Sequence, residues 1–292
     1  MLRPNLTAAS ARFTDPPVTR FAPSPTGYLH LGHIVNAIYT WGIARALGGR
    51  VLLRLEDHDR IRSRAEYEAA ILEDLDWLGF APDEGRHPLM RQSDTPAIYR
   101  DALDALKRTT HVYACDCSRT DIGGERYPGR CRTRGLSDVP GRGVRVHFDE
   151  KTVLAHDLLA GPLEQAPAEQ CGDLLIRDRD GNWTYQFAVT VDDFRHGVTL
   201  VVRGTDLLAS TGRQLMLAGM LGRTTQPVFL HHPLIMGPSG EKLSKSGRDT
   251  GVRDLRAQGL SPEDVIGLAA AAIGLIASPR AIRSSDVPSL FL

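Results

Sequence analysis

The 292-residue chain has no apolar run of the ~18 residues that a bilayer-spanning helix requires. Its most apolar stretch, Val265 to Ala277, is shorter and Ala-rich. Residues 1–17 lack the apolar central segment of a secretory signal and read as a loose N-terminal extension. The expectation is a cytoplasmic protein with no membrane partner. Charge of one sign is also missing, since 35 Lys plus Arg balance 35 Asp plus Glu. That balance announces no nucleic-acid partner, yet it leaves room for a local basic face. Arg126, Arg130, Arg132, Arg134, Arg142 and Arg145 fall in one stretch, and a solvated loop explains them equally well. Cysteine is scarce: of four, Cys115, Cys117 and Cys131 lie within 17 residues, and Cys171 stands apart. In a reducing compartment such clustering favours a metal over disulfides. No internal repeat or low-complexity segment is present.

What is there reads as alternating strands and helices. Residues 18–26 (VTRFAPSPT) give a short strand running into a turn, where Pro23 and Pro25 forbid a helix. Leu31, Ile34, Val35, Ile38 and Trp41 recur at helical spacing, and Gly48-Gly49 stops that helix. Residues 50–55 (RVLLRL) have the unbroken apolar character of a buried parallel strand. Ser63 with Glu66 predicts a capping box for a helix that ends near Gly79, and another helix is expected from about Thr95 to Lys107. This order argues for an α/β fold with a parallel sheet covered by helices. Further strands are expected at 143–148, 173–177, 184–191 and 198–203, and a helix at 211–221. Ser261-Pro262-Glu263-Asp264 starts a last helix. Residues 111–150, rich in Cys, Gly and Arg, read as an insertion organised by something other than a core.

Three patterns carry chemistry. Pro23 to His33 (PSPTGYLHLGH) lies between the first strand and the first helix, where the N–H groups of a helix N-terminus favour phosphate. Gly32 would let a flat adenine approach the backbone, and His30 and His33 can donate to phosphate oxygens. Taken alone, H-x-G-H reads equally as two surface histidines. Lys242-Leu243-Ser244-Lys245-Ser246, flanked by Gly237, Gly240 and Gly247, offers two ammonium groups able to neutralise a pentavalent phosphate. Taken alone, it reads more simply as a solvated basic loop. The three clustered cysteines could hold Zn2+ tetrahedrally, with His111 and His147 as nearby candidates for a fourth ligand. Three reduced structural cysteines are the alternative.

Together, HLGH and KLSKS resemble the two signatures of class I aminoacyl-tRNA synthetases. Arg20 to Gly27 (RFAPSPTG), Leu53 to Arg60 (LRLEDHDR), Tyr185 to Val189 (YQFAV), Val191-Asp192-Asp193 and Val202 to Asp206 (VRGTD) are similar to segments of the glutamyl-tRNA synthetases. The resemblance runs over about residues 18–250. It implies a Rossmann-type parallel sheet, ATP and L-glutamate as substrates, and Mg2+ on the leaving pyrophosphate. It implies catalytic roles for His30, His33, Lys242 and Lys245, and ATP contacts from His30, Gly32, His33 and Lys245. It places glutamate among Arg20, Phe21, Ala22, Pro23, Ser24, Glu56, Tyr185 and Arg203. Those side chains suit an acidic amino acid: Arg20 and Arg203 offer guanidinium forks for carboxylates, Glu56 a partner for the ammonium, and Tyr185 a hydroxyl donor. The resemblance also implies that Tyr127 joins Cys115, Cys117 and Cys131 as zinc ligands, in a C-x-C…Y-x3-C pattern.

The short stretch after Ser246 suggests a chain without an anticodon-binding domain. In this it resembles the shortened paralogues of glutamyl-tRNA synthetase, which attach glutamate to the queuosine at the wobble position of tRNA(Asp). The expected organisation is an extension at 1–17, the first half of the catalytic domain at 18–110, a zinc-binding insertion at 111–150, the second half at 151–235, and the KLSKS loop with a C-terminal helical segment at 236–292, acting as a monomer. Rival readings are 3′-end charging of tRNA(Glu), ligation of glutamate to a small amine without RNA, nucleotidyl transfer, and a non-catalytic RNA-binding remnant.

Overall fold

The computed structural model describes residues 2–236 and 251–292. The chain opens with α1 (Leu6–Ser10), β1 (Val18–Phe21), α2 (Leu31–Ala46), β2 (Arg50–Leu55), α3 (Ala65–Leu78), β3 (Met90–Arg91) and α4 (Pro96–Thr109). β1, β2 and β3 pair in parallel in that order, with Val18 opposite Arg50 and Phe21 opposite Leu53. Parallel neighbours need crossovers, which α2 and α3 supply. β2 is buried from Val51 to Leu55, which is why its sequence shows no alternation.

The next stretch holds β4 (Val112–Cys115), α5 (Arg119–Ile122), β5 (Gly143–Val146), β6 (Val153–Asp157), β7 (Gly161–Gln165), α6 (Pro167–Gln170), β8 (Leu174–Arg177), α7 (Tyr185–Arg195), β9 (Leu200–Gly204), α8 (Thr211–Met220) and β10 (Val228–His232). β6, β10 and β9 run parallel, and β7 closes one edge antiparallel to β6. The Thr199 N–H donates to Val18 O at 2.9 Å, which joins the two ladders side by side. The carboxyl ends of β1, β2, β9 and β10 therefore open on one side, the side on which open parallel sheets take ligands. A separate antiparallel sheet, β4-β5-β8, carries the cysteine segment.

α9 (Val252–Ala257) and α10 (Pro262–Ala272) pack behind the first ladder. α10 starts as its sequence predicts, with Pro262 in the first turn and Ser261 and Asp264 capping each other. The largest core lies between the first ladder, α2 and α10, around Ile34, Ile38, Leu53, Val202, Leu230, Ile266 and Phe291. Among the described residues no helix is long and apolar enough to cross a membrane.

Four expectations change. Residues 184–191, read as a strand, begin α7. Their β-branched and aromatic composition misleads, because Phe187, Ala188 and Val191 face one core at helical spacing, and burial outweighs propensity. The Ser63 capping box does not form. Arg64 is the N-cap of α3 without a side-chain bond, and the Ser63 hydroxyl donates to Asp59 O at 2.8 Å. The residues before Val18 are not loose: Tyr39 Oη donates to Leu2 O at 2.8 Å, Arg3 donates to Leu275 O at 3.0 Å, and Ala9 is buried. The unit around the cysteines also extends past residue 150, since β8 supplies its third strand.

Candidate active site

A cavity of ≈ 330 Å3 sits at the carboxyl ends of the central strands. The end of β1 and the turn after it contribute Arg20, Phe21, Ala22, Pro23 and Ser24, and the start of α2 contributes His30, Gly32, His33 and Asn36. Glu56 enters from the end of β2, Tyr185 from the start of α7, and Val202 and Arg203 from β9. All residues nominated for glutamate and ATP that fall within the described residues thus line one cavity. Lys242 and Lys245 lie outside the described residues. The described chain resumes at Gly251, which bridges to His30, and Val252 N–H donates to Leu29 O at 2.9 Å.

The two histidines are built into the helix start. His30 is the N-cap of α2, and its Nδ1 accepts the Gly32 N–H at 3.0 Å. His33 Nδ1 accepts the His30 N–H at 3.1 Å, so the pair forms a reciprocal capping box. An Nδ1 that accepts carries no proton, which places each ring's N–H on Nε2. Gly32 must be small, because a Cβ there would stand 2.8 Å from the His30 ring.

The charged groups divide the cavity. Asp193 accepts from Arg20 Nε at 3.0 Å and from Arg54 at 2.8 Å, and Arg54 also reaches Glu56 at 2.9 Å. Burial would raise the Asp193 carboxyl, but the charges of Arg20 and Arg54 hold it below the usual carboxylate range. Arg203 is equally buried and is held differently. It donates to His231 Nε2 at 3.0 Å, Gln214 Oε1 at 2.5 Å and Thr211 Oγ1 at 2.8 Å. His231 Nδ1 bonds Asp157 at 2.7 Å, and burial pushes the imidazole below its ordinary pKa, so this partner is neutral. Among the described residues Arg203 makes no ion pair, and burial pushes its pKa down to about 10. A buried cation without a counter-charge is costly, and an incoming carboxylate relieves that cost. Burial, then the Glu56 charge, pushes the Tyr185 hydroxyl up to about 12, so it stays a donor.

The family described as the catalytic domain of class I tRNA synthetases (E and Q) matches residues 17–270. The chain belongs to the class I tRNA synthetases of this E and Q group. It is 39% identical to a glutamyl-Q tRNA(Asp) synthetase of Symbiobacterium thermophilum, over 93% of this chain and 91% of that one. It is 41% identical to glutamate–tRNA ligase 1 of Acidithiobacillus ferrooxidans, over 85% of this chain but only 55% of the relative. In structure it is similar to a glutamate tRNA ligase from Elizabethkingia meningosepticum solved with its amino acid. That likeness has a TM-score of 0.78 at 25% identity and covers 94% of this chain and 64% of that one.

Within this synthetase the cysteine segment closes on itself. The sulfurs of Cys115, Cys117 and Cys131 lie within 4.8 Å of one another. Tyr127 Oη stands 3.4 Å from Cys115 Sγ and 3.8 Å from Cys117 Sγ, and accepts the Cys131 N–H at 2.9 Å. Three sulfurs and a phenol oxygen around one point form a donor set compatible with tetrahedral zinc. His147 instead bonds Asp173 at 2.8 Å, and neither it nor His111 joins the cluster. The Arg145 guanidinium lies 3.8 Å over the Tyr127 ring and donates to Cys115 Sγ at 3.4 Å. Other arginines of this stretch bond neighbouring groups: Arg126 to Ala168 O, Arg130 to Asp121 O, Arg132 to Asp173 and Arg134 to Asp116. Arg126, Arg130 and Arg134 nevertheless stay exposed, so these bonds position part of the basic stretch at the surface while Arg145 is buried. Cys171 is buried, its thiol bonds Pro167 O, and its sulfur is not one of the three that cluster.

Several contributors were not nominated from sequence. Asn36, Asp206, Leu207, His232 and Leu234 line the cavity, and Asp193, Arg54, His231 and Asp157 support it. Arg54 and Asp193 sat inside segments already singled out. Asp157 and His231 gave no local signal.

Proposed function

We propose that this synthetase activates L-glutamate with ATP as glutamyl-adenylate and transfers it to the queuosine at the wobble position of tRNA(Asp). The observation that carries the amino-acid assignment is Arg203, a buried guanidinium on the cavity wall whose bonded partners among the described residues are all neutral. A substrate carboxylate fills the missing charge, Tyr185 donates to it, and Glu56 faces the ammonium. Arg20, already balanced by Asp193, helps shape the pocket with Phe21, Ala22, Pro23 and Ser24. The glutamate α-carboxylate displaces pyrophosphate from the α-phosphorus of ATP. His30 and His33 donate through Nε2–H to the phosphate oxygens, and Lys242 and Lys245 add positive charge there. Magnesium, arriving with the ATP phosphates, would neutralise the leaving pyrophosphate. A hydroxyl of the queuosine ring then takes the glutamyl group and AMP departs. No protein nucleophile is needed, so the residues act by position and charge.

Similarity to glutamyl-Q tRNA(Asp) synthetases over nearly their full length supports this acceptor. Zinc held by Cys115, Cys117, Tyr127 and Cys131 is assigned a structural role. The protein acts as a monomer, in the cytoplasm with its tRNA.

Labelled glutamate, ATP and two tRNA pools, one with queuosine and one from cells unable to make it, test the reading. Label confined to tRNA(Asp) of the first pool is expected. Equal label in both pools, on the 3′ end of tRNA(Glu), would replace the proposal with a charging reaction. Adenylate without label in either pool would point to a small amine acceptor.

A further inference from the structure

Between β8 and α7 the chain forms a tight hairpin, closed by a bridge between Arg177 and Trp183. The Asp178 carboxylate accepts the backbone N–H of Asp180 and Asn182 at 3.0 and 2.8 Å, and Gly181 turns with φ +87°. This loop is therefore built rather than slack, and it separates two cavities outside the active one. Gly181 lines both.

On one side lies a cavity of ≈ 220 Å3 walled by His58, Tyr99 and Trp183. Trp183 rests against Phe187 and Tyr99, with ring centroids 5.3 and 5.9 Å apart. Gln92 donates to Asp192 at 2.9 Å, which turns its Oε1 to His58 Nδ1, also at 2.9 Å. That carbonyl fixes the tautomer of His58: Nδ1 carries the proton and Nε2 offers a lone pair. The His58 ring stands 6.0 Å from that of Tyr185, which lines the active cavity. On the other side is a cavity of ≈ 380 Å3 bordered by Arg142, Arg177 and Arg179. Two carboxylates share it. Asp138 is engaged by Arg177 and Lys107, and Asp180 is exposed. Arg142 and Arg179 bond only backbone carbonyls, Ser137 O at 3.0 Å and Gly141 O at 3.1 Å, and make no ion pair among the described residues.

An aromatic-walled slot, one ring contact from the active cavity through His58 and Tyr185, lies beside a hollow bordered by Arg142 and Arg179, and this pairing matches an unpaired nucleotide followed by its phosphates. We propose that the Arg177–Trp183 hairpin docks the acceptor RNA. One splayed base next to the acceptor nucleotide seats against Trp183 and bonds His58 Nε2, while the following phosphates lie on Arg142 and Arg179. This inference rests on the reading that the acceptor is RNA.

The test separates docking from chemistry. Full-length Arg142→Glu/Arg179→Glu protein should bind tRNA(Asp) carrying queuosine about tenfold more weakly at low salt. Its log–log salt slope should flatten by roughly two phosphates' worth. Trp183→Ala should weaken binding by about tenfold through lost stacking. Because Trp183 also packs on Phe187, the surface arginine pair keeps the test valid if the tryptophan variant fails to fold. Glutamate-dependent ATP–pyrophosphate exchange should stay within about twofold in the arginine variant, since neither residue touches that cavity. Unchanged tRNA affinity and salt slope in the arginine variant would overturn the docking surface. So would quenching of Trp183 fluorescence by AMP but not by the RNA. Wild-type protein that binds tRNA through these residues yet transfers no glutamate to queuosine would instead sink the acceptor reading and leave the surface standing.

Discussion

The active cavity and the cysteine segment bring distant chemistry together in opposite ways. The cavity takes its side chains from separate strand and helix ends, each seated on a large core, and its buried charges are fixed by Asp193, Arg54 and the His231–Asp157 pair. The cysteine segment draws its donors from one short stretch, with a small cluster of Cys115, Tyr127 and Cys131 at its centre. The first arrangement is held before any ligand arrives. In the second, three thiols and a phenol converge around a small cluster, and a metal held there would add to its order.

The sharpest way to break this contrast is Arg203→Ala. Without a cation facing the glutamate carboxylate, kcat/KM for glutamate in ATP–pyrophosphate exchange should fall about a thousandfold, with metal content unchanged. A smaller loss would mean that Arg20 carries the carboxylate. Lys245→Ala should lower kcat about a hundredfold with little change in the glutamate KM. Unaltered exchange would remove the KLSKS lysines from the mechanism.

A third probe addresses the core. Asp74 on α3 is fully buried with neither carboxylate oxygen bonded among the described residues, and burial raises its pKa to about 6. A folded pKa above the unfolded value stabilises at low pH and is lost as pH rises through about 6. Asp74→Asn should therefore stabilise by up to about 2 kcal/mol at pH 8 and by almost nothing at pH 4, read by urea unfolding. Equal gains at both pH values would assign the effect to packing. The smallest effect on adenylate formation is expected from Cys131→Ser or from chelation. Either should release one zinc and expose the segment around residues 115–136 to protease, while exchange persists. Full zinc in the variant would disprove the ligand set.

Much of this was legible because the active-site motifs are contiguous. A strand end, its turn and the next helix start carry Arg20 to His33 in one reading frame, and hydrophobic spacing places that frame on a parallel sheet. The sequence could not show that Tyr185 begins a helix, because Tyr, Phe, Val and Thr favour strands until tertiary burial sets the period. Nor could it reveal that Asp157 orients His231 and thereby Arg203, since residues so far apart share no local pattern. Nor could it show which arginine of the 126–145 stretch turns inward: Arg145 does, over the Tyr127 ring, while Arg126, Arg130 and Arg134 stay exposed.

The reciprocal cap at the start of α2 ties reactivity to architecture. In each imidazole one nitrogen holds the backbone and the other carries the proton, so the fold itself selects the tautomer. Lysine or arginine could supply charge at those positions but has no lone pair with which to anchor the helix. Asparagine could anchor it but would fall short of the phosphate. In the proposed mechanism each imidazole serves both tasks, so substitutions that look conservative by charge or by size are expected to lose one of them.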